Sequence, residues 1–338
     1  MVKYLITPLL LALLAGCADI AEYDSTVATG VNVYSAADLS YLGDFASPSD
    51  AMSMLIRNDC IYFACSDGYF RGYDLDTGEL TGEVVIGVES PSGYRDMVLN
   101  PLRNSVYVLT TMGAIAEVDI PGCVFIDELE DCVSPVEMEI TTGDPGFLWV
   151  LDGHDNSIRQ FRLDTNGYCG HFTLPQSSTV TTLATSIYSD SMFVGTIQGV
   201  YKLSTMGPGS FRCERMRFFV NYIHDATAIP GDSNFVVVAD TLGEPHIGEA
   251  WIYADSTGTN PPPYLFRTEP LEGSYFFTGS AGDPDWMYAV SSTLNGSSVL
   301  SAYRTGHDHG IKYQTELPGN PLDMDFTRAG EIYVLTYE

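Results

Sequence analysis

The chain has 338 residues, and 45% of them are hydrophobic, which is enough to build a large buried core. It carries 15 lysines and arginines against 44 aspartates and glutamates, for a net charge of −29 at pH 7. Nucleic acids and anionic lipid surfaces are poor partners for such a surface, because like charges repel. The composition therefore excludes nucleic-acid binding from the expected functions.

The first thirty residues have the layout of an export signal followed by a tether. Lys3 precedes an apolar run that is too short to span a bilayer, and the run ends in Leu14-Ala15-Gly16-Cys17. This ending resembles the lipobox of bacterial lipoproteins, which implies cleavage before Cys17 and acylation of that cysteine. The alternative is an ordinary cleaved signal that happens to precede a cysteine. We expect residues 1–16 to be the signal peptide and residues 17–30 to be the lipidated cysteine and its tether.

The same resemblance predicts a location. The residue after Cys17 is Ala18, whereas an aspartate at that position retains enterobacterial lipoproteins at the inner membrane. We therefore expect a lipid-anchored protein of the bacterial cell envelope, attached to the outer membrane.

Six further cysteines are available for disulfides. Their number is even, which suits pairing in an oxidising compartment, and none has the spacing of a zinc or haem motif. Cys123 and Cys132 flank one loop. We predict that these two form a disulfide, while the other connections are not readable from the sequence.

Seven short runs of β-branched and aromatic residues recur along the rest of the chain. They are centred 42 to 52 residues apart, the spacing expected of propeller blades, on Tyr62, Tyr107, Trp149, Phe193, Val236, Tyr288 and Tyr333. Turn sequences such as Asp76-Thr77-Gly78 close the strands that follow. The sequence therefore predicts an all-β chain, a seven-bladed β-propeller of four-stranded antiparallel blades over residues 31–338. A pair of β-sandwiches is the alternative fold.

The two ends of this region complete each other. The last repeat stops after two strands, and residues 31–45 have the pattern of an unattached two-stranded hairpin. We label the strands of each blade a to d from the axis outward, and predict that the N-terminal c–d strands join the C-terminal a–b strands. This closure would remove two open sheet edges and keep the propeller monomeric.

The runs that contain Tyr-Val, such as Tyr107-Val108 and Tyr333-Val334, and the Asp-Thr-Gly turn resemble bacterial propeller repeats of the YVTN and quinoprotein-like, WD40-like type. The resemblance covers about residues 31–338 and implies the propeller fold. It carries over no functional residue.

A set of carboxylates recurs ten to twelve residues before the aromatic markers. Equivalent strand positions meet around the axis of a propeller, and hard oxygen ligands that converge there suit Ca²⁺. Alternatively, each carboxylate binds backbone amides at the start of its own strand. The candidate cation- or ligand-binding residues are Asp50, Asp96, Glu137, Asp225 and Asp323.

Two smaller groups are secondary candidates. Asp152, His154, His224 and His246 combine carboxylate and imidazole groups that suit a transition metal or acid–base catalysis, unless they are solvated loop residues. Arg212, Arg215 and Arg217 form a basic island on an expected outer strand. This edge would either bind a partner protein or block aggregation by its charge.

Short catalytic motifs are missing from the sequence, including Gly-x-Ser-x-Gly, His-Glu-x-x-His and a phosphate loop. The expected function is therefore a non-enzymatic binding or scaffolding lipoprotein, with an envelope protein or a small ligand at the channel mouth. The alternative is a metal-assisted hydrolase or lyase of the propeller lactonase type, which would use the carboxylate set.

Overall fold

A computed structural model gives the fold of the chain. It describes residues 29–87, 94–110, 114–120, 122–143, 146–174, 179–185, 191–197, 199–215, 223–228, 234–240, 247–254, 264–272, 276–279, 286–292, 297–304, 311–327 and 329–337. For the described residues between 214 and 285, only the backbone is described. The expected signal peptide and Cys17 lie outside the described residues. Within them, no helix has both the length and the apolar character needed to cross a membrane.

The described residues form seven four-stranded antiparallel sheets, and six of these are built from consecutive strands. The first sheet contains β3 (Ala51–Arg57), β4 (Cys60–Cys65), β5 (Tyr69–Asp74) and β6 (Leu80–Val85). The second contains β7 (Tyr94–Asn100), β8 (Ser105–Thr110), β9 (Ile115–Asp119) and β10 (Val124–Leu129). The third contains β11 (Pro135–Thr141), β12 (Phe147–Asp152), β13 (Ser157–Arg162) and β14 (Tyr168–Thr173).

The next three sheets continue this order. The fourth contains β15 (Val180–Thr185), β16 (Ser191–Thr196), β17 (Gly199–Gly207) and β18 (Ser210–Arg215). The fifth contains β19 (Ile223–Ala228), β20 (Asn234–Asp240), β21 (Ile247–Ala254) and β22 (Tyr264–Glu272). The sixth contains β23 (Phe276–Gly279), β24 (Trp286–Ser292), β25 (Ser298–Arg304) and β26 (Ile311–Leu317).

The seventh sheet combines strands from both ends of the described chain. Its order is β27, β28, β1, β2, with bounds β27 (Asn320–Phe326), β28 (Glu331–Tyr337), β1 (Thr29–Ser35) and β2 (Tyr41–Phe45). β1 pairs antiparallel with β28 over seven residues, from Thr29 opposite Tyr337 to Ser35 opposite Glu331. The N-terminal hairpin thus covers the edge that β28 would otherwise expose.

The seven marker residues lie in the second strands of their sheets, and the described core is built around these strands. All six residues of β8 and of β12 are buried, because these strands are covered on both faces by neighbouring sheets. Each apolar cluster joins two sheets: Tyr62 and Phe70 pack with Val108 of the second sheet, and Trp149 packs with Val194 of the fourth. The core is therefore a series of apolar layers between sheets.

The turn after β5 has the local chemistry that its sequence predicts. The Asp74 carboxylate accepts hydrogen bonds from the amides of Asp76 and Thr77, at 3.1 and 2.8 Å. Gly78 follows with φ +69°, a conformation that glycine adopts without a steric penalty. The prediction that this sequence forms a turn is confirmed.

The first strands of the sheets lie next to one another. Each contacts the first strand of the following sheet in chain order, and β27 of the seventh sheet contacts β3 of the first. On each first strand, the side chains that do not point into the apolar layers therefore come close to those of the neighbouring first strand.

Candidate functional site

Six of the seven first strands share a β-bulge near their start, and the residue after the bulge occupies one equivalent position in each. These residues are Ser53, Asp96, Glu137, Thr182, Asp225 and Asp323. Four of the five carboxylates expected from the sequence therefore share one structural position. The side chain of Asp225 lies outside the described residues.

Asp50 does not belong to this set. The equivalent residue of the first sheet is Ser53, because β3 and β4 are joined by a turn of only two residues whereas β7 and β8 are joined by four. Ser53 is only nine residues before the marker Tyr62, so a count of ten to twelve residues passes the bulge and ends at Asp50. The expectation that all five carboxylates occupy equivalent positions is wrong for this residue.

The described carboxylates at this position bind the next sheet. Asp323 Oδ2 accepts hydrogen bonds from the Ser53 hydroxyl and the Met54 amide of β3, at 2.7 and 2.8 Å. Asp96 Oδ2 accepts one from the Met138 amide of β11, at 2.7 Å. Each bond therefore joins one first strand to its neighbour.

Glu137 repeats the arrangement at the following joint. Its Oε1 accepts hydrogen bonds from the Thr182 hydroxyl and the Leu183 amide of β15, at 2.9 and 3.0 Å. The alternative interpretation of the sequence, local bonds within one strand, describes only part of what is seen, such as the bond from the Met324 amide to Asp323 Oδ1 at 2.8 Å. The main partners belong to the adjacent sheet.

A second tier of carboxylates lies two residues further along two of these strands. Asp325 Oδ2 accepts a hydrogen bond from the Ile56 amide of β3 at 2.5 Å, and Glu139 Oε2 accepts one from the Thr185 hydroxyl of β15 at 3.2 Å. Neither residue was predicted from the sequence. The period of two along a strand puts Asp323 and Asp325 on one face, so the Asp-x-Asp and Glu-x-Glu spacings are the signal that could have found them.

A cavity of about 330 Å³ lies between the first strands β3, β7, β11 and β27, and its lining includes apolar residues such as Met54 and Met324. Burial raises the pKa of Asp323. Burial, with the nearby Asp323 carboxylate, raises the pKa of Asp325 to about 7. Four of the lining residues, Asp96, Glu139, Asp323 and Asp325, are acidic. Calcium binding here stays a prediction. The amide and hydroxyl donors already stabilise part of the negative charge of these carboxylates, which a cation would otherwise balance.

Asp50 instead takes part in an ion-pair cluster around Arg71. Arg71 Nη2 lies 2.5 Å from Asp67 Oδ2, and its Nη1 lies 3.7 Å from Asp50 Oδ1. Burial, and next the Asp67 charge, raise the pKa of Asp50. The ligand atoms of Asp50, Cys65 and Asp67 lie within 4.8 Å of one another. However, Arg71 supplies the positive charge, and burial raises the pKa of Cys65 to about 12, so its neutral thiol is a poor metal ligand.

Asp152 is buried at the end of β12 and holds the loop before β11. Its carboxylate accepts hydrogen bonds from the amides of Val133, Ser134 and His154 at 2.9, 3.1 and 3.0 Å. Arg159 Nε lies 2.8 Å from Asp152 Oδ2. Burial opposes ionisation, but the three amides and Arg159 together lower the pKa of Asp152. Asp152 therefore has the environment of a structural anchor.

The histidines expected beside Asp152 are not brought together with it in the described structure. The side chain of His154 is exposed. His224 lies in β19, but its side chain is outside the described residues, and His246 is outside them entirely. Arg71 and Arg159 were not predicted from the sequence either, and each lies four positions after an aspartate with which it forms an ion pair.

The basic island begins on an outer strand, as expected. Arg212 is exposed on β18, the last strand of the fourth sheet, and Arg215 ends that strand. The side chain of Arg215 and the whole of Arg217 lie outside the described residues. Partner binding at this edge stays a prediction.

The expected disulfide between Cys123 and Cys132 is wrong in this structure. Both are free thiols, as are Cys60, Cys65, Cys169 and Cys213. The six-residue strand β10 separates Cys123 from Cys132, and an extended strand of that length spans about 20 Å, far beyond the Cα separation of a disulfide. Cys123 packs between the first and second sheets, and Cys132 between the second and third.

Comparison with solved structures identifies the fold. The β-propeller domain of Cps50 (Swd1) from Myceliophteria thermophila has 10% identity and a TM-score of 0.65, over 86% of this chain and 98% of that domain. The WD40 repeats of RRP9 have 10% identity and a TM-score of 0.65, over 91% and 98%. Hydrazine synthase of Kuenenia stuttgartiensis has 12% identity and a TM-score of 0.65, over 86% and 95%. No family model matches the sequence, and no curated protein does.

At these identities the likeness extends to the fold alone, because one architecture hosts many activities. The chain has an all-β propeller fold of four-stranded antiparallel sheets. Its assignment to YVTN-like repeats stays a prediction.

Proposed function

We propose that this chain is a ring of seven blades, attached by a lipid on Cys17 to the outer membrane of a bacterial cell envelope, which binds a partner protein on its outer strands. The proposed ring is supported by the unbroken succession of contacts between first strands, including that of β27 with β3. The pairing of β1 with β28 supports it as well. Each sheet is then one blade.

Deletion of residues 29–45 tests the ring. This variant loses β1 and β2, so the edge of β28 and the apolar side chains beneath it become exposed. We expect aggregation, or loss of cooperative unfolding, measured by light scattering and circular dichroism. A monomeric variant with the melting temperature of the intact protein would overturn the closure.

A binding role is favoured over catalysis by the bonds of the inner carboxylates. Asp323, Asp96 and Glu137, which a hydrolase of the lactonase type would use, have oxygens engaged by the amides of Met54, Met138 and Leu183. These bonds fix the sheets to one another. The inner strands then provide a rigid frame that presents the outer strands.

One observation carries the proposal of a protein partner, the concentration of exposed apolar side chains on β6 and β10. Leu80 and Val85 on β6 are 50% and 54% exposed, and Val124 and Phe125 on β10 are 57% and 41% exposed. The two strands contact each other. We call these four residues the outer patch. Clustered exposed apolar groups mark interaction surfaces on soluble domains.

The seventh sheet extends this trend. Tyr41 and Leu42 on β2 are 56% and 54% exposed. By contrast, the described residues of β14 and β26 include one exposed large apolar side chain each, Tyr168 and Tyr313. Among the outer strands whose side chains are described, the exposed apolar side chains are therefore concentrated on the first, second and seventh sheets.

Site-specific photo-crosslinking in living bacteria tests this surface. A photoreactive residue replaces Phe125 in one variant and Val85 in another, with Tyr313 as the control, since Tyr313 and Phe125 are both 41% exposed. We expect one discrete product shared by positions 125 and 85 and absent at 313. Val124→Asp should abolish the product at 85 without changing the melting temperature of the purified protein. The same products at all three positions, or none at 125, would overturn the proposal.

Lipid attachment is tested separately with Cys17→Ala. We expect radiolabelled palmitate to enter the wild type and not the variant, and the variant to leave the membrane fraction. Label in the variant would show that the interpretation of the N-terminus is wrong.

Elemental analysis of the purified wild type should find no stoichiometric metal, and a tightly held metal would favour the hydrolase instead.

A further inference from the structure

A cavity of about 730 Å³ lies between the sixth and seventh sheets, and its walls come from β1, β2 and β26. Its lining includes Tyr34 and Leu317, which are 2% and 7% exposed and belong to the apolar cluster shared by these two sheets. Tyr41 also lines the cavity and is 56% exposed. The cavity is therefore a groove that runs from the buried apolar layer to solvent, and we call it the tyrosine groove.

Gly30 leaves room inside the groove. It lies on the same face of β1 as Asn32 and Tyr34, because faces alternate along a strand. A Cβ on Gly30 would have no heavy atom of the described structure within 4 Å, its chain neighbours aside. At Gly72, by contrast, a Cβ would lie 3.1 Å from Cys123 Sγ of the next sheet. The space at Gly72 is thus filled by the protein itself, whereas the space beside Gly30 is open.

A chain of hydrogen bonds in the groove ends on the carboxylate of Asp44. The Thr336 hydroxyl donates to Asn32 Oδ1 at 3.1 Å, and Asn32 Nδ2 donates to Asp44 Oδ1 at 2.8 Å. The Tyr41 hydroxyl also bonds the Asp44 carboxylate, which raises the pKa of Tyr41. An ionised carboxylate only accepts, and it has about four lone-pair sites. The capacity that remains at Asp44 is therefore for a group that donates.

The charge and the rings of the groove select a cation among donors. Asp44 on β2 and Glu316 on β26 both line it, and none of its described lining residues is a lysine or arginine. The Tyr34 and Tyr41 rings meet edge to face with centroids 5.8 Å apart, and the faces of such rings attract cations. The net charge of −29 on the whole chain also favours a basic partner.

We propose that the tyrosine groove binds an arginine side chain of the partner protein. A guanidinium presents five donors in one plane, so it can bond Asp44 while its face lies against a tyrosine ring. An ammonium group has no such plane and is more strongly hydrated. Tyr41 connects this site to the exposed apolar side chains of β2. That the arginine belongs to a protein rests on the proposed function, whereas binding of a guanidinium does not.

The experiment titrates the full mature chain with acetyl-Gly-Arg-Gly-amide, whose single charge is the guanidinium. The comparison peptide contains citrulline, the neutral isostere of arginine, at the same position. Binding is measured by NMR from the chemical shifts of the backbone amides of β1 and β2. We expect the arginine peptide to bind about tenfold more tightly than the citrulline peptide. Its affinity should fall as salt is added, because salt screens exposed charges.

Three variants locate the binding site. Asp44→Asn should weaken binding of the arginine peptide about tenfold. Asp38→Asn is the matched control, since it removes the same charge from an exposed turn of the same hairpin and should leave binding unchanged. Gly30→Leu should abolish binding without lowering the melting temperature, because its side chain would enter the open space of the groove.

Two results would overturn the inference. One is equal binding of the arginine and citrulline peptides by the wild type, which requires no variant to fold. The other is undiminished binding by Gly30→Leu. If the arginine peptide binds but the crosslinks at positions 85 and 125 are absent, the proposed function fails and the groove stands. If the crosslinks form but the peptide does not bind, the partner docks without this groove and the inference fails.

Discussion

Neighbouring sheets meet in two different ways, depending on the distance from the first strands. At the first strands the joints are polar: Asp323 binds Ser53 and Met54 of the next sheet across the joint. At the second strands they are apolar, as where Trp149 packs in a cluster shared by the third and fourth sheets. Hydrogen bonds require particular distances and angles, whereas apolar packing is non-directional. The hydrogen bonds between first strands, which we call the inner joints, therefore fix how the sheets are placed. The apolar packing between second strands supplies most of the stability.

The largest effect should come from breaking an apolar joint. Trp149 is fully buried, packs on Phe147 and Phe211 with ring centroids 6.1 and 5.9 Å away, and donates a hydrogen bond to Thr141 Oγ1 at 3.0 Å. We expect Trp149→Ala to lower the free energy of unfolding by about 3 to 5 kcal/mol. Chemical denaturation measures this.

Trp286 is the matched control. It is half-buried and stacks on the exposed Tyr313, with ring centroids 5.9 Å apart. We expect Trp286→Ala to cost less than half as much, because less apolar surface is lost. Equal losses would contradict the view that the layers between sheets carry the stability.

A polar joint should be weaker. Asp323→Ala leaves the Ser53 hydroxyl and the Met54 amide without their acceptor, and we expect a loss of about 1 to 3 kcal/mol in the free energy of unfolding. The control is Asp38→Ala, since Asp38 is exposed and accepts bonds from Ser40 in the same turn. A surface change of this kind should cost within about 0.5 kcal/mol.

Calcium separates the two explanations of the inner carboxylates. If they are structural joints, Asp323→Asn lowers the melting temperature equally in Ca²⁺ and in chelator. If they form a cation site, Ca²⁺ raises the melting temperature of the wild type, and the variant loses that response. We expect the first result. A calcium-dependent stabilisation that Asp323→Asn abolishes would replace the structural account.

A pH dependence is also expected at the inner joint. The pKa of Asp325 is raised to about 7 from 3.8, so between these values the folded protein holds a proton that the unfolded chain has released. The contribution of Asp325 to stability is therefore fully present below about pH 4 and is lost as the pH rises through 7.

Comparison of the wild type with Asp325→Asn isolates this contribution. The stability of the wild type relative to the variant should fall between about pH 4 and 7, because titrations elsewhere cancel in the difference. Asp96, Glu139 and Asp323 line the same cavity and must be intact in both proteins. A difference that does not change with pH would show that Asp325 titrates normally.

The strands could be predicted from the sequence, and the partners of their polar side chains could not. The runs around Tyr107 and Trp149 are detectable because burial on both faces demands apolar residues at every position. Asp96 was found for its spacing, but its partner, the Met138 amide, is 42 residues away. Such a bond depends on how two sheets are set against each other. Cys123 was misassigned for the same reason, since its neighbours lie on another sheet.

The pairing of β1 with β28 has a kinetic consequence. Asn32 and Thr336 share a hydrogen bond across 304 residues of sequence, whereas the other six sheets are built from consecutive strands. Contacts between distant residues form slowly, because closing a long loop costs entropy before any contact forms. We therefore expect the seventh sheet to assemble last during folding. Until then β28 has an open edge that a second chain or a chaperone can occupy.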